Sequence, residues 1–431
     1  MLALDPSTKT LPSVSSSRSP YDLKEYRQVE LANGLRAVLV KDARAMRERG
    51  GEWSDEEEEE GDGMEEDGVE EDGMEESGDE DEEDAASAAS GKSSGEPDIR
   101  FAAVSLLVGV GSYSDPAHLP GLAHFLEHML FMGTSTYPDE NHYDAYVSKH
   151  GGSTNAWTEM EETVFHYTTP QAQLFPALDV FARFFSEPLM KADAVDRERR
   201  AVDSEFFLSQ QSDGARLQQL FCATARPREE HPFRSFSWGN KESLSPEGVD
   251  VVAELRRFYD QYYYARNMRL VIIGGYELDE LQAQVEAKFG AVPAGPRVPP
   301  ALPTEHHAGD YSCTSALAAL PLPFPPSSLS TVYYAVPIKQ AHSLTLTFQM
   351  PPQDRHWRSM PLDYLGHLLG HEGAGSCLSL LKARGVASTI CAGVGQGGYE
   401  RASSHWLFQV QVAMSERGVA EVEAILEVVF A

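Results

Sequence analysis

The sequence predicts an α+β fold: two related sheet-and-helix domains, the second incomplete, with an acidic disordered insertion inside the first. Three observations carry this. Period-two apolar runs, such as Arg100–Val110 and 343–351, are mixed with segments of helical periodicity. A proline-rich stretch divides the chain near residue 300, and a run of carboxylates interrupts its first part. At 431 residues there is length for two or three domains.

Taken in order, residues 1–25 are rich in serine and proline and lack the apolar core of a signal peptide, which predicts a disordered N-terminus. A first domain follows over 26–291. Gln28–Lys41, turning at Asn33-Gly34, and Arg100–Val110 read as a β pair, with residues 42–99 inserted between its halves. The strongly apolar segment from Leu122 to Met132 is helical. His150-Gly151-Gly152 turns into strands at Thr154–Thr158 and Thr163–Thr169. A second helix covers about Asp193–Gln211, with an imperfect stripe of Val195, Ala201, Val202, Phe206 and Leu208. An aromatic helix, Leu255–Tyr264, leads through Asn267-Met268 into the strand Arg269–Gly274, and its aromatics read as core, as does Trp157.

Residues 292–330 (VPAGPRVPPALPTEHH, then LPLPFPPSSLS) read as a linker or long surface connection. A second domain, 331–431, opens with the strand at 343–351 and ends in a helix over about Val419–Phe430. There Val419, Val422, Ile425, Leu426 and Val429 form a stripe whose packing partners are expected to be missing.

Net charge is −32, which excludes nucleic acid as a natural partner. Most of it sits between Glu52 and Asp84, where 22 acidic residues occur with no Lys or Arg. Self-repulsion and the lack of apolar residues keep such a segment from collapsing, so it is a solvated spacer or a trap for cationic ligands. Cys222, Cys313, Cys377 and Cys391 show neither CxxC pairing nor disulfide-scaffold density, which points to a reducing compartment, the cytoplasm. No apolar run is long enough for a membrane span.

The chemistry concentrates at His124-Phe125-Leu126-Glu127-His128. Residues four apart share a helix face, so both imidazoles can grip one ion. Glu127 then lies close to the open coordination position and can take a proton from water there. The order His-x-x-Glu-His is the inverzincin motif. In so apolar a segment these side chains must be paired, protonated or metal-bound. A hydrolytic zinc site needs one more protein ligand. Glu198 and Glu205 lie two turns apart on one face of the 193–211 helix, and spacing alone leaves open which of them serves. His367, His371 and Glu372 repeat the ligand types, but Gly370, Gly373 and Gly375 end that helix and no third ligand is evident.

From about Tyr26 to Gly290 the chain resembles the insulysin-like zinc metallopeptidases. The matching blocks are GSYSDP at 111–116, PGLAHFLEHMLFMGT at 120–134, YPDENHYDAYVSKHGGSTNAWT at 137–158, DRERRAVDSE at 196–205 and HPFRSFSWGN at 231–240. The resemblance implies that His124, His128 and Glu205 hold one Zn2+ and that Glu127 is the general base. It makes Glu198 the carboxylate that orients a ligand histidine. It also implies that the strand around Asn155 is an edge pairing with substrate backbone. Every ligand position is filled, unlike the family's non-catalytic relatives. The block at 364–394 is structural in the family and borders a site for the substrate's N-terminus.

An acidic insertion just upstream of the zinc motif resembles the family's nardilysin branch, which cleaves at dibasic sites. It implies basic peptides as substrates, concentrated near the site at low ionic strength. The family closes two halves around a peptide, so a C-terminal half or second subunit is an expected partner. The competing expectation is a peptide-binding or assembly subunit that lacks turnover without that half. A mitochondrial processing peptidase shares the zinc chemistry, and the acidic insertion and missing transit peptide disfavour it.

Overall fold

Val104, Leu106 and Val108 of one central strand point into the same core as Phe125, Leu126 and Met129 of the histidine-bearing helix, and this packing sets the architecture. The computed structural model describes residues 4–12, 18–19, 21–42, 100–296, 317, 319–339 and 341–431. The acidic insertion lies outside the described residues.

The first sheet has seven strands: β1 (Lys9–Thr10), β2 (Glu25–Glu30), β3 (Arg36–Lys41), β4 (Phe101–Val108), β5 (Ser153–Thr158), β6 (Thr163–Pro170) and β7 (Met268–Gly274). Their spatial order is β1-β2-β3-β7-β4-β6-β5, antiparallel throughout except between β3 and β7. Asn33-Gly34 does turn the β2–β3 hairpin. Gly34 has φ +90°, and Asn33 donates to the Phe289 and Val292 carbonyls. The expected pairing of β3 with β4 is corrected. β7 lies between them, burying Met268, Leu270 and Ile272 and pairing with both neighbours.

Seven helices belong to this domain among the described residues: α1 (Leu122–Leu130), α2 (His142–Lys149), α3 (Leu174–Arg183), α4 (Val195–Ser209), α5 (Asp213–Thr224), α6 (Val251–Tyr262) and α7 (Leu278–Phe289). The α6 aromatics Phe258, Tyr259 and Tyr262 are core, as the sequence predicts. The helix begins earlier than expected because the Asp250 side chain caps it at the Ala253 amide.

The second domain contains β8 (Ser343–Met350), α8 (Pro361–Leu369), α9 (Cys377–Arg384), β9 (Ala387–Val394), β10 (Arg401–Ala402), β11 (His405–Met414), α10 (Glu416–Ala420) and α11 (Val422–Phe430). β11 runs antiparallel between β8 and β9. The succession β8–α8–α9–β9–β11 repeats β4–α1–α2–β5–β6, where β6 likewise lies between β4 and β5. The two domains are therefore built on one plan.

Three expectations are corrected here. The N-terminus is not wholly disordered, since Lys9–Thr10 pairs with Val29–Glu30 and the Asp5 amide donates to Glu286. The outer edge of β2 offers unpaired backbone groups, and a short strand satisfies them. The described part of the proline-rich 292–330 segment is not simply a surface connection. Leu317 and Phe324 are buried in a junction core with Tyr113, Phe233 and Leu407, drawn from both domains. The final helix does have partners, because Ile425 and Val428 pack into a core with Leu378 and Leu381. Its stripe is also rotated from the expected one, with Val419 exposed, because the helix breaks at Glu421.

Among the described residues no helix is long and apolar enough to cross a membrane. Cys222, Cys377 and Cys391 are free.

Candidate metal centre

The helix carrying the two histidines is held at its first turn by Asp115. This carboxylate is fully buried and accepts the Gly121 amide at 2.7 Å and the Ala123 amide at 2.8 Å, two of the donors a helix start leaves unpaired. Burial pushes Asp115 up to about 7, against the pull of these two amides. Gly121 has φ +91°, and a Cβ there would run into the Gly239 backbone, so glycine is required.

One turn apart on α1, His124 and His128 bring their Nε2 atoms to 3.3 Å. Glu205, on α4, places Oε2 at 3.4 Å from His124 Nε2 and 3.5 Å from His128 Nε2. All three donor atoms lie within 4.8 Å of one another, and among the described residues this is the group that could hold a metal ion. The α4 face that delivers Glu205 is set by Val195 and Val202, which are buried with Glu198, whereas Leu208 of the expected stripe is exposed.

The remaining ring nitrogens are turned away from this point. His124 Nδ1 donates to the Trp238 carbonyl at 2.6 Å, and His128 Nδ1 faces Glu198 Oε2 at 3.7 Å. Glu198 is itself held by Arg197 at 3.0 Å. With Nδ1 carrying the proton in each ring, both Nε2 lone pairs and a carboxylate oxygen converge on one point. Three acceptors so close repel one another unless a cation lies among them. Burial alone would lower His128, but the Glu198 and Glu205 carboxylates outweigh it and take it to about 9. The two histidines hold Glu205 well below the usual carboxylate range. A dication answers the same demand more fully, and the N,N,O donor set suits zinc.

Glu127 lies beside this group, almost fully buried, and its Oε2 accepts the Thr158 hydroxyl at 2.6 Å. Burial raises its pKa, opposed by His124 and by the Thr158 hydrogen bond. Thr158 ends β5, the outermost strand of the sheet. Asn155 is exposed on that strand, with Oδ1 accepting the Ala156 amide at 2.9 Å. Trp157 is corrected from core to surface. It is 43% exposed, because β5 alternates and places it beside Asn155 rather than inward, against His166. His367 and His371 stack at 6.1 Å between ring centroids, and no third donor joins them among the described residues.

Sequence reasoning missed Asp115, Thr158 and Trp238. Asp115 had a signal, an acidic residue just upstream of a Gly-initiated apolar helix. Thr158 looks like any strand threonine, and Trp238 acts through its main-chain carbonyl, which no side-chain pattern encodes.

Comparison with known proteins adds the family. The model described as insulinase (peptidase family M16) matches residues 93–230, and the peptidase M16 inactive domain matches 251–431. The chain is 42% identical over 332 residues to a nardilysin-like protein of Arabidopsis thaliana, covering 76% of this chain and 30% of that one. Human nardilysin is 41% identical over 334 residues, with 76% and 27% covered. Mouse insulin-degrading enzyme is 36% identical over 414 residues, with 95% and 33% covered. The chain thus spans about a third or less of these relatives. Among solved structures, pitrilysin shares the fold with a TM-score of 0.75 at 24% identity, over 98% of this chain and 37% of that one. With both domains matched by M16 models and a His-His-Glu group whose histidines lie on the inverzincin helix, the chain belongs to peptidase family M16, the insulysin-like metallopeptidases.

Proposed function

We propose that this chain is the zinc-binding part of a metalloendopeptidase that hydrolyses peptides, with a bias to basic or dibasic sites, in the cytoplasm. The observation that carries the reading is the convergence of His124 Nε2, His128 Nε2 and a Glu205 oxygen, with the other ring nitrogens engaged elsewhere. In this reading these three residues hold one Zn2+, and Glu198 orients His128. Bound zinc supplies Lewis-acid polarisation of the scissile carbonyl and acidifies a water. Glu127 accepts that water's proton and returns it to the leaving amine, a dual role suited to a buried carboxyl held by one hydroxyl. The outer edge of β5, with Asn155 exposed on it, aligns the substrate main chain by adding a strand, which tolerates many sequences. The 22 carboxylates between Glu52 and Asp84 draw in cationic peptides and supply the basic bias.

A second reading has its own support. The chain spans about 30% of its nardilysin-like relative, and Tyr364, Leu365 and Leu368 of α8 are exposed. In this reading the chain is a peptide-binding or assembly subunit that turns over only with a C-terminal half.

The deciding experiment measures zinc per chain and cleavage of a fluorogenic peptide containing an Arg-Lys pair, with and without an added C-terminal half. One zinc per chain, with cleavage abolished by Glu127→Gln, is the expected result. A chain that takes up no stoichiometric zinc sinks the metallopeptidase reading. Zinc without cleavage until the second half is added selects the subunit reading.

A further inference from the structure

The turn between β5 and β6 sits in a grip formed by both domains. From the first domain, the Ser112 amide donates to the Glu159 carbonyl at 3.0 Å and the Tyr113 amide to the Met160 carbonyl at 2.9 Å. From the second, the Gly398 amide donates to Glu159 Oε2 at 2.9 Å and the Ser403 amide to Glu161 Oε2 at 2.6 Å. Met160, between the two carboxylates, is 2% exposed in the junction core with Ala402 and Leu407. The fit requires glycine at 111, and at 398 any side chain would displace the Glu159 carboxylate. A Cβ on Gly111 would run into the turn's backbone, and one on Gly398 would sit 2.7 Å from Glu159 Oε2.

This turn begins at the residue after Thr158, whose hydroxyl holds Glu127. Across the same strand end, Thr158 pairs with Thr163, and the Thr163 hydroxyl donates to the Val110 carbonyl at 2.9 Å. The second domain therefore grips the tip of the hairpin whose last β5 residue touches the proposed base. Carboxylates are suited to this task, because a charged acceptor on a backbone N–H makes a shorter and stronger bond than a neutral one. A hairpin tip without such anchors would fray, as strand ends next to turns do.

We propose that Glu159 and Glu161 are positioning residues through which the second domain fixes Thr158 against Glu127, an inference that rests on the reading of Glu127 as the general base. The domain junction is then part of the catalytic arrangement without touching substrate. Loosening it lets Glu127 turn while both histidines and Glu205, anchored on α1 and α4, stay in place. The expected signature is a loss in kcat with KM and zinc content nearly unchanged, since a misplaced base slows the chemical step and leaves binding intact.

The test uses the full zinc-loaded chain and four variants: Glu161→Ala, Glu161→Gln, Gly398→Ala and Thr158→Val. Amide hydrogen exchange over 153–163 and 398–404 reads the coupling directly, and peptide cleavage reads its consequence. Glu161→Ala and Gly398→Ala should raise exchange in both segments about tenfold or more, leave α1 protected, and lower kcat by roughly 10- to 100-fold. Glu161→Gln, which keeps an acceptor oxygen, should restore most of both. Thr158→Val should lower kcat similarly while leaving 398–404 protected. Exchange that rises in 398–404 alone, or a glutamine variant as impaired as the alanine one, overturns the coupling. A zinc-loaded parent that cleaves nothing even with a C-terminal half overturns the general-base reading instead, and the exchange data remain to judge the coupling.

Discussion

Thr158 donates its hydroxyl to Glu127 across 2.6 Å, joining the end of the outermost strand to the helix that carries both histidines. One contact thus links the edge where a peptide could add as a strand to the carboxyl that would work on it. Glu127 makes this bond from an almost fully buried position, where an unpartnered carboxylate would be costly. The hydroxyl offsets part of that cost and fixes the carboxyl's rotation.

The ligand set gives the first prediction. His124→Ala, His128→Ala and Glu205→Gln should each abolish stoichiometric zinc, because three protein ligands leave none to spare. Glu127→Gln should keep zinc and lose cleavage. Glu198→Gln should weaken zinc binding by about 10- to 100-fold, the usual effect of removing a group that orients a ligand. Competition with a chromogenic chelator measures zinc in all five, and peptide cleavage tests Glu127→Gln. Full occupancy in Glu205→Gln would assign the ligand role to another carboxylate, with Glu198 the first candidate.

A second prediction concerns Asp115. Asp115→Ala removes the acceptor for two helix-start amides at a position buried inside the protein. The expected loss is roughly 2–4 kcal/mol of folding stability, about 1–2 for each stranded donor. Because the first turn carries His124, zinc affinity should fall as well. Denaturant unfolding of zinc-loaded and chelator-treated protein separates the two effects. An unchanged midpoint in both states would show that α1 needs no such cap.

Much of this arrangement was legible in the sequence because it rests on short-range periodicity. Two histidines and a glutamate at fixed helical spacing, an Asn-Gly turn and alternating strands all declare themselves within a few residues. Glu205 was harder, since Glu198 shares its face, and the family resemblance rather than spacing separated them. The placement of β7 between β3 and β4 was not legible, because strand pairing depends on residues far apart in the chain. Leu317 and Phe324 were hidden by surrounding prolines that read as linker, yet one apolar side chain in such a segment can anchor it in a core. Composition puts Trp157 in the core, whereas the strand's alternation places it outward with Asn155.

The acidic run supplies a third prediction, from charge alone. Deleting residues 52–84 removes 22 negative charges. Capture of Arg/Lys-rich peptides should weaken, most at low ionic strength and little near 1 M salt, where the screening length is only about 3 Å. Peptides without net charge should bind the parent and the deletion alike. Binding isotherms at two salt concentrations decide it, and equal capture of basic peptides by both forms at low salt would reduce the run to a spacer.

The last prediction concerns acid. His405 is buried at the domain junction, with its ring 4.9 Å from that of Phe233 and 5.8 Å from that of His231. Its Nε2 donates to the Tyr399 carbonyl at 3.1 Å, and Nδ1 lies 2.9 Å from the Ser404 hydroxyl, a pattern that suits the neutral ring. Burial lowers its pKa to about 4. The unfolded chain therefore takes up a proton on this side chain near pH 6.5, where the folded chain does not. The stability that neutral His405 contributes is full above pH 6.5, falls between 6.5 and 4, and reaches its lower limit below that, a change of roughly 3 kcal/mol. Burial raises Glu159, Glu161 and Glu400 at the same junction, and their effect has the opposite sign, favouring the fold at low pH. Comparing His405→Gln with the parent cancels those carboxylates and isolates the histidine. The parent should lose stability relative to the variant as pH falls from 6.5 to 4. Parallel stability curves would show that His405 titrates alike in the folded and unfolded chain, and that its ring is solvated rather than held neutral in the junction.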